Sequence, residues 1–249
     1  MIRSARVDPA RASQFSRALR AWFHRHGRDL PWRTTRDPYR ILVSEAMLQQ
    51  TQVSRVMEFY ERFLARFPTI GALAKASPRR VRESWEGLGY YARARNLHAV
   101  ARRVDALPSD PAELDALPGI GRYTAGAVAS FAFERRAALV DTNVARVLRR
   151  AFAPRADFKT ARGQQRIWGI AEALLPRTGK STWTHNQALI ELGALVCTAR
   201  VARCEVCPVS RHCRSSRIRA SSATHPNSPK ESNRSSRRRA PLAMARGAP

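Results

Sequence analysis

Apolar residues recur at helical spacing in this chain from Phe15 to Cys213, and this periodicity limits the possible folds more than any other feature. Short stretches of proline and glycine separate the helical segments, and the alternation typical of strands is missing between these limits. The clearest segment has apolar positions at Val53, Val56, Met57, Tyr60, Phe63, Leu64 and Phe67. We expect Thr51 to cap this helix and Pro68 to end it. The sequence therefore predicts an all-α fold.

The charge of the chain indicates a polyanionic partner. The formal net charge is +26, from 45 basic and 19 acidic residues. Residues 214–249 hold nine of the basic residues and one acidic residue, so the rest of the chain still carries +18. Basic side chains that neutralise phosphates release counterions, which favours binding to nucleic acid. The segment 214–249 has no aromatic residue, and we predict that it is a disordered basic tail.

All four cysteines lie within a short segment, with the spacing C-x6-C-x2-C-x5-C, at Cys197, Cys204, Cys207 and Cys213. No run approaches the roughly 18 apolar residues of a membrane span, and the N-terminus has no apolar signal segment, so we expect a cytoplasmic protein. Thiols stay reduced in that compartment, which favours metal binding over disulfides. The spacing alone suits either a tetrahedral zinc ion or a 4Fe-4S cluster.

The stretch LDALPGIGRYTAGAVASFAF predicts a helix-hairpin-helix, with a helix end at Leu114–Leu117 and a tight turn through Gly119 and Gly121. Glycines let the backbone approach a phosphate, and the N-terminus of the next helix offers free N–H groups to that anion. An ordinary αα-hairpin is the alternative. Asp141 follows twenty residues after Gly121, immediately before a helical segment, where an N-cap is the simplest interpretation.

A carboxylate at that distance after such a hairpin resembles the helix-hairpin-helix DNA glycosylases. ILVSEAMLQQTQV, GLGYYARARNL, LPWRTTRDPY and NQALIELGALVC are similar to sequences of the MutY family of adenine DNA glycosylases, from about Phe15 to Cys213. The resemblance implies a base-excision-repair enzyme acting on double-stranded DNA with A:8-oxoguanine or A:G mispairs. Such an enzyme flips the adenine out and removes it by hydrolysis, leaving an abasic site. The resemblance also implies a 4Fe-4S cluster on the four cysteines and a monomer without membrane contact.

Matching residues carry the catalytic roles that the resemblance implies. Glu45 would protonate the departing adenine, and Asp141 would stabilise the positive charge that develops on the sugar. Tyr123 and Asn143 would position Asp141 and the sugar. Glu45 has apolar neighbours along the chain, so we expect burial to raise its pKa, whereas an ordinary helix acid would face solvent.

Bifunctional relatives such as endonuclease III carry a lysine where this chain has Tyr123. No lysine lies between Lys75 and Lys159, so the amine that forms a Schiff base is missing. We therefore expect a monofunctional glycosylase.

The resemblance also assigns residues that contact the DNA. The expected adenine pocket comprises Trp32, Arg33, Leu48 and Glu191. Gln50 and Tyr90 would enter the base stack beside the orphaned base, while one of Tyr90 and Tyr91 packs in the core. Gly119 and Gly121 would contact the phosphate backbone.

The expected organisation is two helical subdomains with DNA in the cleft between them. Residues 30–138 form a helical bundle with the hairpin, and residues 1–29 and 139–213 form the iron-sulfur subdomain. The C-terminal Nudix-like domain usual in the family is expected to be missing.

Three alternatives remain open on the sequence. A thymine glycosylase acting on T:G mismatches uses the same scaffold and also has a tyrosine in the hairpin. A catalytically impaired iron-sulfur protein would bind DNA without releasing a base. A structural zinc protein would use only the cysteines.

Overall fold

The computed structural model describes residues 7–216, and the fold within that range is helical. Its helices are α1 (Pro9–His26), α2 (Pro38–Leu48), α3 (Val53–Arg66), α4 (Ile70–Ala74), α5 (Pro78–Ser84), α6 (Ala92–Ala101), α7 (Pro111–Asp115), α8 (Arg122–Phe133), α9 (Thr142–Phe152), α10 (Ala161–Ala173) and α11 (Gly179–Leu195). Short 3-10 turns occupy Pro31–Arg33 and Ser210–His212. Among these residues β-pairing is limited to one isolated bridge, between Cys197 and Ala202. The all-α prediction is confirmed for this part of the chain.

Four helices begin with a cap residue followed directly by proline. Asp8, Asp37, Ser77 and Asp110 accept hydrogen bonds from backbone N–H groups of the first turns of α1, α2, α5 and α7. Proline suits the next position because its fixed φ is helical and its missing N–H has no intrahelical partner there. These short local signals therefore determine where much of the bundle begins.

Two expectations for α3 are wrong. Its N-cap is Gln52, which makes no side-chain cap bond, whereas the Thr51 hydroxyl accepts a hydrogen bond from Arg93. Met57 is 43% exposed and lies outside the core, while Phe59 is buried. The buried stripe of α3 is therefore rotated slightly from the predicted one and includes Phe59, whose ring lies beside Gly87, in place of Met57.

The helices pack around a continuous core that includes Phe15, Phe63, Phe67 and Trp85. α1 packs on α11, which also contacts α8 and α9, and α10 packs on α9. On the other side α2 contacts α3, α6 and α8, while α4 and α5 pack on α6. This arrangement places the C-terminus of α2 beside α6 and α8.

The predicted hairpin is formed by α7 and α8, which pack against each other on either side of the glycine turn. None of the helices in residues 7–216 is long and apolar enough to cross a membrane. Residues 214–216 form one helical turn after the last cysteine, and the remainder of the predicted tail lies outside the described residues.

Candidate active site

Glu45 lies in the penultimate turn of α2 and is only 5% exposed. Burial, reinforced by the nearby charge of Asp141, raises its pKa from 4.5 to about 7. A hydrogen bond from Tyr123 and the charge of Arg33 act in the opposite direction and do not cancel this rise. Glu45 is therefore not a solvent-facing helix acid, and it can hold a proton near neutral pH.

Tyr123 and Asp141 meet Glu45 from two other elements. Tyr123 is the second residue of α8, and its hydroxyl donates a hydrogen bond to the Glu45 carboxylate. Burial and the charges of Glu45 and Asp141 raise the Tyr123 pKa well above its usual value, so the phenol remains a donor. The fold thus brings together three residues separated by up to 96 positions in the chain.

Asp141 caps α9 and keeps a second oxygen for other partners. Its Oδ1 accepts from the backbone N–H of Val144 at 2.6 Å, and its Oδ2 accepts from Nδ2 of Asn143 at 3.1 Å. Burial raises the Asp141 pKa, while these hydrogen bonds and the charge of Arg146 oppose the rise. The partial positive charge at the N-terminus of a helix also favours a carboxylate. The N-cap interpretation is correct, and it is compatible with a catalytic role.

Arg146 extends this arrangement toward the cysteines, and sequence reasoning missed it. Its guanidinium donates to Oδ1 of Asn143 at 2.6 Å, to the carbonyl of Gly193 at 2.8 Å and to the carbonyl of Cys197 at 2.8 Å. A chain of hydrogen bonds therefore runs from Asp141 through Asn143 and Arg146 to the first cysteine. The i, i+3 spacing of Asn143 and Arg146 on α9 was the only local signal for it.

Arg33 and Glu191 form a buried ion pair beside Glu45. Nη2 of Arg33 lies 2.8 Å from Oε2 of Glu191, whose side chain is fully buried. Arg28, which sequence reasoning also missed, binds the other carboxylate oxygen at 2.8 Å. Burial opposes ionisation of Glu191, but hydrogen bonds from Arg28 and Arg33 outweigh it and lower its pKa to about 2. Nε of Arg33 also donates to the amide oxygen of Gln187, at 2.9 Å.

The other two residues of the expected adenine pocket differ in how deeply they are buried. Leu48 is the last residue of α2, one turn beyond Glu45, and is partly buried. Trp32 is buried, and its ring meets that of Tyr60 edge-on at 5.4 Å. In this structure Trp32 is therefore part of the hydrophobic core.

The two glycines of the hairpin turn are required for different reasons. Gly119 has φ +69°, and a Cβ on it would lie 2.1 Å from Nδ2 of Asn96. Gly121 is the N-cap of α8, with an ordinary φ of −97°, and a Cβ there would meet nothing within 4 Å. The fold itself requires glycine at position 119, whereas the space beside Gly121 is open for an external group.

Gln50 and Tyr90 lie on two neighbouring turns and are both exposed, Tyr90 to 61%. Both have left-handed backbone conformations, with φ 56° and 48°. Tyr91, in contrast, packs against the core and beneath the guanidinium of Arg82.

The four cysteines are reduced, half-buried and arranged around one cavity of about 310 Å³. Within residues 7–216 no group of three or more His, Cys, Asp or Glu is arranged to hold a single metal ion. Arg150 donates to Sγ of Cys197 at 3.3 Å, a contact that suits a thiolate ligand. The four cysteines line the same open space and are the residues there that could hold a metal group.

Comparison with known proteins identifies the family. Residues 43–172, more than half of the 249, match the family described as HhH-GPD superfamily base excision DNA repair protein. The chain belongs to the HhH-GPD superfamily. The matched segment includes Glu45, Tyr123, Asp141 and the whole hairpin, so the buried carboxyl cluster of this HhH-GPD protein lies inside the family domain.

Relatives confirm the MutY-family resemblance of this HhH-GPD protein. Adenine DNA glycosylase of Homo sapiens is 42% identical over 221 residues, covering 83% of this chain and 40% of that protein. The protein of the same name from Mycolicibacterium smegmatis is 46% identical over 202 residues, covering 79% of this chain and 67% of that protein. The chain spans 40–42% of the length of the mammalian relatives.

Solved structures confirm the glycosylase fold. A thermostable thymine-DNA glycosylase superposes with a TM-score of 0.76 at 29% identity, over 84% of this chain and 98% of that one. An endonuclease III–DNA covalent intermediate superposes with a TM-score of 0.70 at 22% identity, over 86% of this chain and 100% of that one. The second likeness concerns the fold alone. The HhH-GPD protein thus has the predicted helix-hairpin-helix glycosylase architecture.

Proposed function

We propose that this chain is a monofunctional DNA glycosylase that removes adenine mispaired with 8-oxoguanine or guanine. The observation that carries the proposal is the buried carboxyl of Glu45, with a pKa of about 7, beside Tyr123 and Asp141. Adenine is a poor anionic leaving group and needs a proton, while the sugar needs a fixed negative charge. Relatives named adenine DNA glycosylase support this choice of base.

The reaction divides between the two carboxyl groups. Protonated Glu45 donates its proton to the adenine ring, and its raised pKa of about 7 suits it to act as a general acid at neutral pH. The bond from C1′ to the protonated base then breaks, and its electron pair leaves with the adenine, which departs as a neutral molecule. The Asp141 carboxylate, held by Asn143 and Val144, stabilises the resulting cation. Water then adds to C1′, and its proton returns to the Glu45 carboxylate, which Tyr123 stabilises in the meantime.

We expect no strand cleavage by a lyase reaction, because Tyr123 stands where bifunctional relatives carry a lysine and a phenol cannot form a Schiff base with the sugar. The side chain at the start of α8 is occupied instead by its hydrogen bond to Glu45. An abasic site is therefore the product that we propose.

We propose that the partner is double-stranded DNA, bound by a monomer in a cleft between residues 30–138 and the subdomain of residues 1–29 and 139–213. The open space at Gly121 and the N-terminus of α8 suit a backbone phosphate. The exposed Arg200 and Arg203, in the loop between the first two cysteines, suit a second one. The site of action would be the cytoplasm, at the nucleoid if the protein is bacterial.

We propose that Cys197, Cys204, Cys207 and Cys213 hold a 4Fe-4S cluster with a structural role. Such a group cross-links the chain segments that ligate it. Arg150 holds the first thiol, and Arg146 ties the backbone of the same residue to α9. Iron and acid-labile sulfide analysis of the purified protein tests this proposal. Stoichiometric zinc without iron would support the zinc alternative instead.

Single-turnover cleavage of duplexes with A:8-oxoguanine, A:G, T:G and A:T tests the activity, with alkali treatment to reveal abasic sites. We expect adenine release from the first two duplexes and its loss in Asp141→Asn, a variant that keeps the size of the side chain and its cap acceptor. Thymine release from T:G would favour the thymine glycosylase alternative, which the likeness to a thymine-DNA glycosylase structure supports. Tight binding with no release would indicate a DNA-binding protein.

A further inference from the structure

Arg93, the second residue of α6, is 8% exposed, and its guanidinium closes the end of the helix that carries Glu45. Its Nη1 donates to the carbonyls of Ala46 at 3.1 Å and Met47 at 2.8 Å. Carbonyls in the last turn of a helix have no intrahelical partner, and a cation there also interacts favourably with the helix dipole. Arg93 therefore fixes the C-terminal turn of α2 to α6.

The same Nη1 reaches the turn that carries Gln50. It contacts the carbonyl of Gln49 and lies 3.1 Å from Oγ1 of Thr51. Arg93 thus binds the residue on each side of Gln50 and leaves the Gln50 side chain exposed.

The other side of the guanidinium binds the turn that carries Tyr90. Nη2 donates to the carbonyls of Leu88 at 3.2 Å and Gly89 at 3.1 Å, and Nε lies 3.4 Å from the carbonyl of Tyr90. The guanidinium also lies over the Tyr90 ring, 5.4 Å from its centroid. One side chain therefore connects both turns and the end of α2.

Both turns hold a strained residue in place. Within residues 7–216, the non-glycine residues with positive φ are Gln50, Tyr90 and Glu134. A left-handed conformation costs a non-glycine residue roughly 1–2 kcal/mol and persists only where the surroundings enforce it. Two of the three strained positions are thus flanked by hydrogen bonds from Arg93.

An arginine is a costly choice for this position unless its donors are needed. The hydrogen-bond acceptors of its guanidinium in the described structure are carbonyl and hydroxyl oxygens, its other contacts are the rings of Trp85 and Tyr90, and burial lowers its pKa. A buried charge without an opposite charge is less favourable than an apolar side chain of similar volume. The planar fork is what allows a single residue to bind three backbone segments at once.

We propose that Arg93 is a positioning residue that couples two turns to α2, the helix that carries the general acid Glu45. These are the turns that carry Gln50 and Tyr90, and we call them the base-probing turns. Contact of Gln50 and Tyr90 with the orphaned base fixes their turns, and Arg93 transmits this constraint to α2 and so aligns Glu45. The proposal rests on the adenine glycosylase function proposed above. It predicts that Arg93 affects how strongly the rate depends on the base opposite adenine.

The test compares single-turnover rates on two duplexes, one with A:G and one with adenine opposite a tetrahydrofuran abasic analogue. The second duplex gives the probing turns no base to contact. In Arg93→Lys, which keeps the charge but loses the fork, we expect the ratio of the two rates to fall about tenfold, the size of one charge-assisted hydrogen bond. Arg95→Lys, an exposed position on the same helix, is the matched control and should keep the wild-type ratio.

A purely structural role would lower both rates by the same factor and leave their ratio unchanged, which would overturn the proposal. Tyr90→Ala should lower the ratio of the two rates as Arg93→Lys does. The double variant should have the same ratio as the single variants, because each substitution interrupts the same coupling between the opposite base and α2. If the fold reductions in this ratio caused by the two single variants multiply in the double variant, the proposal would also be overturned. Thr51→Val, which removes one acceptor of Arg93, provides a milder variant if Arg93→Lys does not fold, with a smaller fall in the same ratio.

The outcomes separate this inference from the proposed function. If the wild-type protein releases adenine from neither duplex, the glycosylase proposal fails. If it releases adenine from both at equal rates, or if Arg93→Lys keeps the wild-type ratio, only the coupling through Arg93 fails.

Discussion

Replacing Glu45 with glutamine should make the protein more stable, and increasingly so as the pH rises. The folded protein raises the pKa of this carboxyl from 4.5 to about 7, mainly by burial. The folded state therefore holds the proton more tightly than the unfolded chain does. Stability from this group is fully present below the unfolded pKa and is lost as the pH rises through the folded one.

The size of the effect follows from the pKa difference. Each pKa unit corresponds to 1.36 kcal/mol. With a shift from 4.5 to about 7, the ionisation of Glu45 therefore lowers the free energy of unfolding by about 3 kcal/mol near pH 8. The same relation gives a cost of about 1 kcal/mol near pH 5.5, where the folded carboxyl is still protonated. Glutamine does not ionise and keeps a carbonyl acceptor for Tyr123.

Urea unfolding of the wild type and Glu45→Gln at both pH values measures this difference. We expect the advantage of the variant to grow by about 2 kcal/mol from pH 5.5 to pH 8, together with loss of adenine release. Glu86→Gln, at an exposed carboxyl, is the matched control. An advantage that does not change with pH would refute the reasoning, as would a variant less stable than the wild type at pH 8.

Three further predictions concern the rate, the hairpin and the link to the cysteines. The single-turnover rate should fall as the pH rises above about 7, because Glu45 then loses the proton that it donates; a flat profile up to pH 9 would contradict this role. Gly119→Ala should lower the melting temperature, whereas Gly121→Ala should leave it unchanged and weaken only DNA binding, measured by fluorescence anisotropy. Arg146→Gln should slow adenine release at least about tenfold through Asp141 and release iron faster on dilution; wild-type values for both would exclude the link.

Much of the fold follows from signals local to the chain. The cap-and-proline pairs at Asp37 and Asp110 mark helix starts because the cap acceptor and the fixed φ act within one turn. The glycine turn at Gly119 is equally local. The start of α3 was misplaced because the hydroxyl of Thr51 is used by Arg93, a residue 42 positions away.

What the sequence by itself determined is the helical periodicity, the hairpin, the cysteine spacing and the residue types at the site. Tertiary structure alone decided that Glu45 is buried beside Tyr123 and Asp141, and that Arg28, Arg93 and Arg146 bind the groups that they do. A pKa shift and a long-range hydrogen bond depend on which atoms the fold brings within a few ångströms and on how much water it excludes. Those quantities are properties of the packed helices, and no local pattern of residues encodes them.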